Sequence, residues 1–263
     1  MGMDDMMLFR TAYLRAIARA WNDKKFFHRM ITDPNGWDIL SQCLNPPASL
    51  PAWSILLTFQ EDTMPGNGYQ PALTGSWVGP RAVLRLRLPS PPKGAGEQTR
   101  ALAAFYAAMP SPFGQGIPKL SPEDGGGVGD GSGAGGGGMG HWEDALVLGA
   151  TVARALALSW SDEQFHDQFK GRGALLALQN WLGYTLPWNM ELVTEYVSPR
   201  VAHWDPAQQQ WMHRDPKGKE WSPGVSPNHL TLWVPNAPDA KYPQAVALAA
   251  YNQTGDADPL TCP

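Results

Sequence analysis

The feature that most constrains this chain is an internal duplication. The phrase RAIARAWND at 15–23 returns as RALALSWSD at 154–162. Three later blocks recur in the same order: LPAWSILLTFQ (50–60) as LPWNMELVTEY (186–196), LRLRLPSPP (84–92) as LTLWVPNAP (230–238), and QTRALAAFY (98–106) as QAVALAAYN (244–252). Chance does not repeat four blocks in one order, so we predict two tandem copies of one structural unit.

A glycine-rich segment separates the two copies. It reads DGGGVGDGSGAGGGGMG at 124–140, and glycine at this density loses too much backbone entropy on ordering to favour a helix or strand. A phosphate-binding loop needs a preceding strand and a following Lys-Ser or Lys-Thr pair, and neither is present. The sequence therefore predicts a first repeat at 1–118, a linker at 119–140, and a second repeat with a short C-terminal tail at 141–263.

Each copy opens with apolar residues at helical spacing. Residues at i, i+3, i+4 and i+7 share one face of a helix. The spacing predicts helices over 8–44 and over 147–183, each stretch ending in a third, short helix around 36–44 and 173–182. The residues that share a helix face are Leu14, Ile17, Ala18 and Trp21 in the first copy, and Ala153, Leu156, Ala157 and Trp160 in the second.

A break in each helical stretch is predicted just after the Trp. SDEQ at 161–164 has a capping-box pattern, in which the Ser161 hydroxyl accepts a hydrogen bond from the backbone N–H of Gln164. In the first copy, Asn22 or Asp23 can cap the second helix in the same way. Each copy should therefore contain a helix, a sharp turn and a second helix.

The chain then changes from helical to alternating periodicity. Alternation predicts strands over 53–59 and 82–88, matching 188–196 and 229–234, and the Asp-Pro turn starts in 203–221 predict a hairpin. ALAAFY and ALAAYN predict a short helix at the end of each copy. The predicted fold class is thus α+β: two tandem units, each with N-terminal helices, then antiparallel strands, then a short helix.

Tryptophan is unusually frequent, with 12 residues in the chain. Large aromatic side chains anchor small cores and partner-binding surfaces alike. Trp77 and Trp221 close the strand region of each copy, and we predict that they are equivalent core anchors.

Charge and hydropathy exclude several classes of partner. The net charge is −4 and no basic run stands out, so the sequence gives no basis for nucleic-acid binding. The longest apolar stretch is interrupted by Arg154 and is too short to cross a membrane. The start MGMDDMMLFR lacks the basic and apolar regions of a secretory signal. We expect a cytoplasmic protein, exported, if at all, after processing.

The segment ARAWNDKKFFHRMITDP at 18–34 resembles the N-terminal region of the nitrile hydratase α-subunit and the leader segments of peptide precursors built from that subunit. LALSWSDEQFHDQF at 156–169 resembles the same region more faintly. Duplicated chains of this kind resemble precursors of thiazole/oxazole-modified microcins (TOMMs). The resemblance implies a folded leader recognised by modification enzymes. Its recognition or core anchors are Trp21, Asp23, Phe26, Trp160, Asp162 and Phe165.

The catalytic chemistry of nitrile hydratase is not expected to accompany this resemblance. Those enzymes hold cobalt or iron with three clustered Cys, whose thiolates set the properties of the metal. This chain has only Cys43 and Cys262, far apart in sequence, and LRLPSPP and LWVPNAP stand where the cluster is expected. We expect no metal, no other cofactor and no nitrile hydration.

Other residue groups offer weaker candidates for a site. His203, Asp205, His213 and Asp215 are spaced symmetrically across the predicted hairpin and could ligate Zn²⁺, although Asp in an Asp-Pro turn more often caps its own backbone. Arg85 and Arg87 share one strand face. They could bind a carboxylate or phosphate, or could form the solvated face of an edge strand.

The C-terminal tail TGDADPLTCP contains Thr261 and Cys262. Chain ends are accessible, and an accessible β-nucleophile is what azoline-forming enzymes require, so these two residues are the modification candidates. The predicted partners are modification enzymes of the cyclodehydratase and dehydrogenase type, or another protein. The alternatives are a non-catalytic interaction or scaffold protein and an enzyme or metal-binding protein with an unrecognised site.

Overall fold

Both copies run from three helices through a set of strands to a last helix, and the second copy has one strand more than the first among the described residues. The computed structural model describes residues 5–44, 53, 55–71, 76–113, 140–214 and 221–253. The first copy contains α1 (Asp5–Asn22), α2 (Lys24–Thr32), α3 (Gly36–Ser41), β1 (Ile55–Glu61), β2 (Gly68–Gln70), β3 (Ser76–Val78), β4 (Ala82–Pro89), a 3-10 turn (Ala95–Glu97) and α4 (Gln98–Ala108). The second contains α5 (Gly140–Ser161), α6 (Glu163–Phe169), α7 (Ala174–Leu182), β5 (Met190–Val197), β6 (Ala202–Asp205), β7 (Gln210–Arg214), β8 (Trp221–Pro223), β9 (Asn228–Val234) and α8 (Gln244–Gln253). The predicted α+β class is confirmed.

A four-stranded sheet at the centre of the fold interleaves the two copies. Its strand order is β1-β9-β4-β5. β1 is parallel to β9, β4 is parallel to β5, and the central pair β4 and β9 is antiparallel. Every neighbour in this sheet therefore comes from the other copy, and the arrangement is mixed where the sequence predicted antiparallel strands.

The repeat relationship gives this sheet an approximate two-fold symmetry. β1 corresponds to β5 at the edges, and β4 corresponds to β9 in the middle. Because β4 has a partner on each side, the interpretation of Arg85 and Arg87 as the face of an edge strand is wrong. Alternation in a sequence shows which residues share a face, but it does not show how many neighbouring strands there are.

One face of the sheet carries the core. Its register aligns four leucines in a row across all four strands, and each is at most 1% exposed. The opposite face carries polar side chains, including Thr58 and Thr231, whose hydroxyl oxygens lie 3.3 Å apart. Helices α2 and α3 contact β1, and α7 contacts β5. The leucines are Leu57, Leu230, Leu84 and Leu192.

The buried face of α1 is rotated from its predicted position. The buried residues include Phe9, Tyr13 and Ile17, whereas Leu14 and Trp21 are only partly buried. The rotation follows from packing, because α1 contacts α8 of the second copy, and its Tyr13 stacks on Phe59 in β1 and donates to the carbonyl oxygen of Trp233 in β9. A helix in contact with two elements buries a wider face than one stripe describes.

Aspartates cap the second helix of each copy. The Asp23 carboxylate accepts hydrogen bonds from the backbone N–H groups of Lys25 and Phe26, and Asp162 accepts from that of Phe165. The predicted cap at Ser161 is wrong by one residue. Its hydroxyl instead donates to carbonyl oxygens in the last turn of α5.

Each copy also contains an antiparallel hairpin beside the sheet. β2 pairs with β3, placing Tyr69 opposite Trp77, and β6 pairs with β7, placing Trp204 opposite Trp211. The hairpin predicted within 203–221 is thus present, and β8 adds a third strand to it. The equivalent of Trp77 is therefore Trp211. The predicted equivalence with Trp221 is wrong, and Trp221 is 37% exposed.

Candidate functional site

The repeated Trp of the resemblance segment joins one copy to the other. The Trp21 indole N–H donates to the carbonyl oxygen of Pro235 at 2.8 Å, just after β9. The Trp160 indole N–H donates to the carbonyl oxygen of Pro89, the last residue of β4, at 3.2 Å. The two hydrogen bonds are related by the repeat, so each copy binds the end of a central strand supplied by the other.

A second pair of tryptophans also forms hydrogen bonds from one copy to the other. The Trp77 indole N–H donates to the carbonyl oxygen of Ala247 in α8 at 2.6 Å. The Trp211 indole N–H donates to the carbonyl oxygen of Ala101 in α4 at 2.7 Å. Trp77 also stacks on Trp21, with ring centroids 5.9 Å apart. These aromatic side chains therefore hold the two copies together.

The buried part of the resemblance segment is used inside the fold. Phe26 and Phe165 are at most 2% exposed, and Asp23 and Asp162 cap helices. A partner that recognises this segment must therefore contact the exposed residues around it. These lie on the outer faces of α1 and α2 in the first copy and of α5 and α6 in the second.

The first copy presents a cluster of positive charges at this position. We call Arg15, Arg19, Lys24, Lys25 and Arg29 the cationic surface; all five residues are exposed. The guanidinium carbons of Arg19 and Arg29 lie 4.3 and 5.4 Å from the centroid of the Phe26 ring. Residues from two helices therefore converge over one buried side chain.

Cys43 lies next to the cationic surface, two residues after the end of α3. Its Sγ donates to the carbonyl oxygen of Ile39 at 3.4 Å, and burial raises the pKa of the thiol. Arg19, Arg29 and Arg15 lower this pKa to a smaller extent, and the Arg29 guanidinium donates to the adjacent Gln42 at 2.8 Å. The Cys43 thiol is thus half-buried and held in a hydrogen bond.

The second copy lacks this cluster of charges. Leu158 and Gln168 stand at the positions of Arg19 and Arg29. The Phe165 ring is covered instead by Trp181, at a centroid distance of 5.4 Å, and the Trp181 indole N–H donates to Gln168 at 2.8 Å. The same helical unit therefore folds with neutral residues at the positions of Arg19 and Arg29.

Sequence reasoning missed the cationic surface because charge was considered over the whole chain. The five cations are distributed between 15 and 29, without a continuous basic run. A position-by-position comparison of the two copies reveals them, because Glu163 and Gln164 replace Lys24 and Lys25.

Arg85 and Arg87 lie on the polar face of the sheet beside a carboxylate of the same chain. Arg85 and Glu195 approach to 3.9 Å, with both side chains nearly half exposed. Arg87 is opposite Glu195 in the register, and burial lowers the pKa of Arg87. Burial also lowers the pKa of the neighbouring His229, whose buried Nε2 has no hydrogen-bond partner. An external anion would therefore have to compete with the Glu195 carboxylate for these arginines.

The hairpin histidines do not converge. His203 is opposite Met212 in the register and His213 is opposite Ala202, so the two imidazoles project from opposite faces. The Asp205 carboxylate accepts hydrogen bonds from the backbone of its own turn. Asp215 lies outside the described residues. Within the described ranges, no three His, Cys, Asp or Glu residues are close enough to bind a metal.

The modification candidates Thr261 and Cys262 also lie outside the described residues, as does most of the predicted linker. No described helix has both the length and the apolar character that crossing a bilayer requires.

Comparison with known proteins gives one family. A model of the ribosomal natural product, two-chain TOMM family matches residues 4–113 and 143–259. The two matched regions correspond to the two copies and together cover most of the chain, and Thr261 and Cys262 follow the second region. No curated protein and no solved structure matches the chain.

Proposed function

The chain belongs to the ribosomal natural product, two-chain TOMM family, and from this premise we propose that it is a precursor-like substrate of TOMM modification enzymes. The folded residues act as the leader, and a cyclodehydratase and a dehydrogenase are the partners. The C-terminal tail supplies the residues that are modified. The observation that carries this proposal is the family match over both copies.

We further propose that the leader is a metal-free unit of the nitrile hydratase type. The resemblance of the segment at 18–34 to the α-subunit of that enzyme supports this ancestry. The absence of a clustered Cys triplet from the sequence supports the loss of its metal chemistry, because imidazole or carboxylate does not readily replace thiolate in that role. The product of such a precursor is a modified peptide of the bacteriocin type.

Cys262 is the main modification candidate. In azoline formation, its thiol loses its proton and the sulfur forms a bond to the carbonyl carbon of Thr261. An ATP-dependent cyclodehydratase transfers a phosphoryl group to the carbonyl oxygen, which leaves as phosphate. Loss of the amide proton then completes the C=N bond, so that the peptide has lost one water. Thr261 can react in the same way with the carbonyl carbon of Leu260.

Folding protects the other thiol from this reaction. Cyclisation at Cys43 needs its amide nitrogen and the preceding carbonyl to leave their folded geometry. The Cys43 backbone N–H donates to the carbonyl oxygen of Leu40 at 2.9 Å, and its Sγ donates to that of Ile39. Both hydrogen bonds have to break before an azoline can form, so Cys43 serves as an internal control.

Co-expression with a cyclodehydratase and a dehydrogenase of the TOMM type should lower the mass of a C-terminal proteolytic fragment by one water, about 18 Da, per azoline. Cys262→Ala should abolish the Cys-derived loss, and Cys43→Ala should leave it unchanged. Mass spectrometry of the fragment measures both. If the tail stays unmodified while the same enzymes convert another substrate, the precursor proposal is overturned in favour of an interaction protein.

A further inference from the structure

The cationic surface is unusual for a chain with a net charge of −4. Its five side chains are exposed. Among the described residues, the one ion pair made by these cations joins Arg19 to Asp23 at 4.0 Å. A concentration of like charge on the surface of an acidic protein raises the local potential and favours an anionic partner.

The fold does not require four of these five cations. The second copy keeps an arginine, Arg154, at the position of Arg15. It forms the same helices with Leu158, Glu163, Gln164 and Gln168 at the other four positions. A charged cluster that one copy has and the other lacks has little to do with folding of the unit. The comparison of the two copies thus distinguishes these charges from the residues that the fold needs.

The arginines are positioned to bind carboxylates. Packing over the Phe26 ring restricts Arg19 and Arg29, and the Arg29 guanidinium donates to Gln42 at 2.8 Å. A restricted guanidinium loses less entropy on binding, and its planar pair of N–H groups matches the two oxygens of a carboxylate.

The surroundings of the cationic surface favour a peptide over a nucleic acid. The cations lie on parts of two helices within residues 15–29, whereas a nucleic-acid site follows the phosphate backbone with a longer basic stripe. The partly exposed Phe27 lies on the same helix as three of the cations, and the partly exposed Cys43 follows Gln42, which Arg29 contacts. An acidic protein segment supplies both carboxylates and apolar groups, and a free phosphate supplies only charge.

We propose that the cationic surface of the first copy binds an acidic segment of a protein partner, and that the second copy does not. This goes beyond the precursor role, because it concerns a different surface and holds whether or not the tail is modified.

Fluorescence anisotropy with a labelled ten-residue peptide rich in Glu, with interspersed Leu, tests this proposal on the full chain. The variant Lys25→Gln/Arg29→Gln installs the residues of the second copy, so the fold should tolerate it. It should weaken binding by about tenfold or more. The matched control Arg154→Gln/Lys170→Gln removes the same charge from the second copy and should change binding by less than about twofold.

Circular dichroism should show the same helical content in both variants. Raising the salt concentration from about 50 to 500 mM should weaken binding to the wild-type chain, since exposed charges are screened. If the two variants weakened peptide binding equally, the effect would depend on net charge alone, and the proposal would be overturned. Failure of the peptide to bind where inorganic phosphate or RNA binds would overturn it as well.

Discussion

Residues 1–118 and 141–263, produced as separate chains, should each fail to form a folded monomer. In the central sheet, β1 and β4 pair only with strands of the second copy, and β5 and β9 pair only with strands of the first. A separated copy therefore loses every hydrogen bond of this sheet and exposes its leucine row. Circular dichroism and size-exclusion chromatography of each half measure the loss.

Mixing the two halves should restore a one-to-one complex that melts cooperatively. A separated copy can also associate with itself, because each strand has its counterpart in the same copy and a two-fold dimer reproduces the sheet. Self-association of a half is therefore compatible with a central sheet in which strands of the two copies alternate. A folded, cooperatively unfolding monomer of either half would contradict this alternation.

Trp77→Ala and Trp211→Ala should each lower the free energy of unfolding by about 3–5 kcal/mol. Both side chains are buried, and each indole N–H donates to a helix of the other copy. Removing the ring leaves a cavity at the junction of the two copies and deprives a backbone carbonyl of its partner. Urea denaturation followed by circular dichroism measures the change.

Trp221→Ala is the matched control for these substitutions. Its side chain is 37% exposed, meets the His203 ring edge-to-face and lies 4.9 Å from the Arg214 guanidinium carbon, so the loss should be about 1 kcal/mol or less. A loss at Trp221 as large as that at Trp211 would contradict the register that pairs Trp211 with Trp77.

The repeated plan was predictable because it depends on local patterns. Helical spacing, alternation and recurring blocks follow from neighbouring residues and give the element types in both copies. The pairing of strands between the copies was not predictable, because β1 would have the same alternation whether it paired with β4 of its own copy or with β9 of the other. Trp77 was matched with the wrong partner for a similar reason: sequence offset changes with loop length, whereas hairpin register fixes the true equivalent.

The candidate site was predictable only in part. The segment around Trp21 was identified from its resemblance, but the sequence did not show that its aromatic residues are used between the copies. The cationic surface depends on Arg19 and Arg29 meeting over Phe26, and that meeting requires the angle between two helices. Arg85 was placed on the correct face of a strand, yet its neighbour Glu195 is far away in sequence.

We propose that the folded pair of copies directs modification of the tail. The most direct test compares the tail mass after treatment with the same modification enzymes in two substrates: the full chain and a synthetic peptide of residues 244–263. The peptide keeps Thr261 and Cys262 but lacks both helical units and the shared sheet. We expect a loss of one water per azoline from the full chain and no change in the peptide. Equal conversion of the two substrates would contradict it.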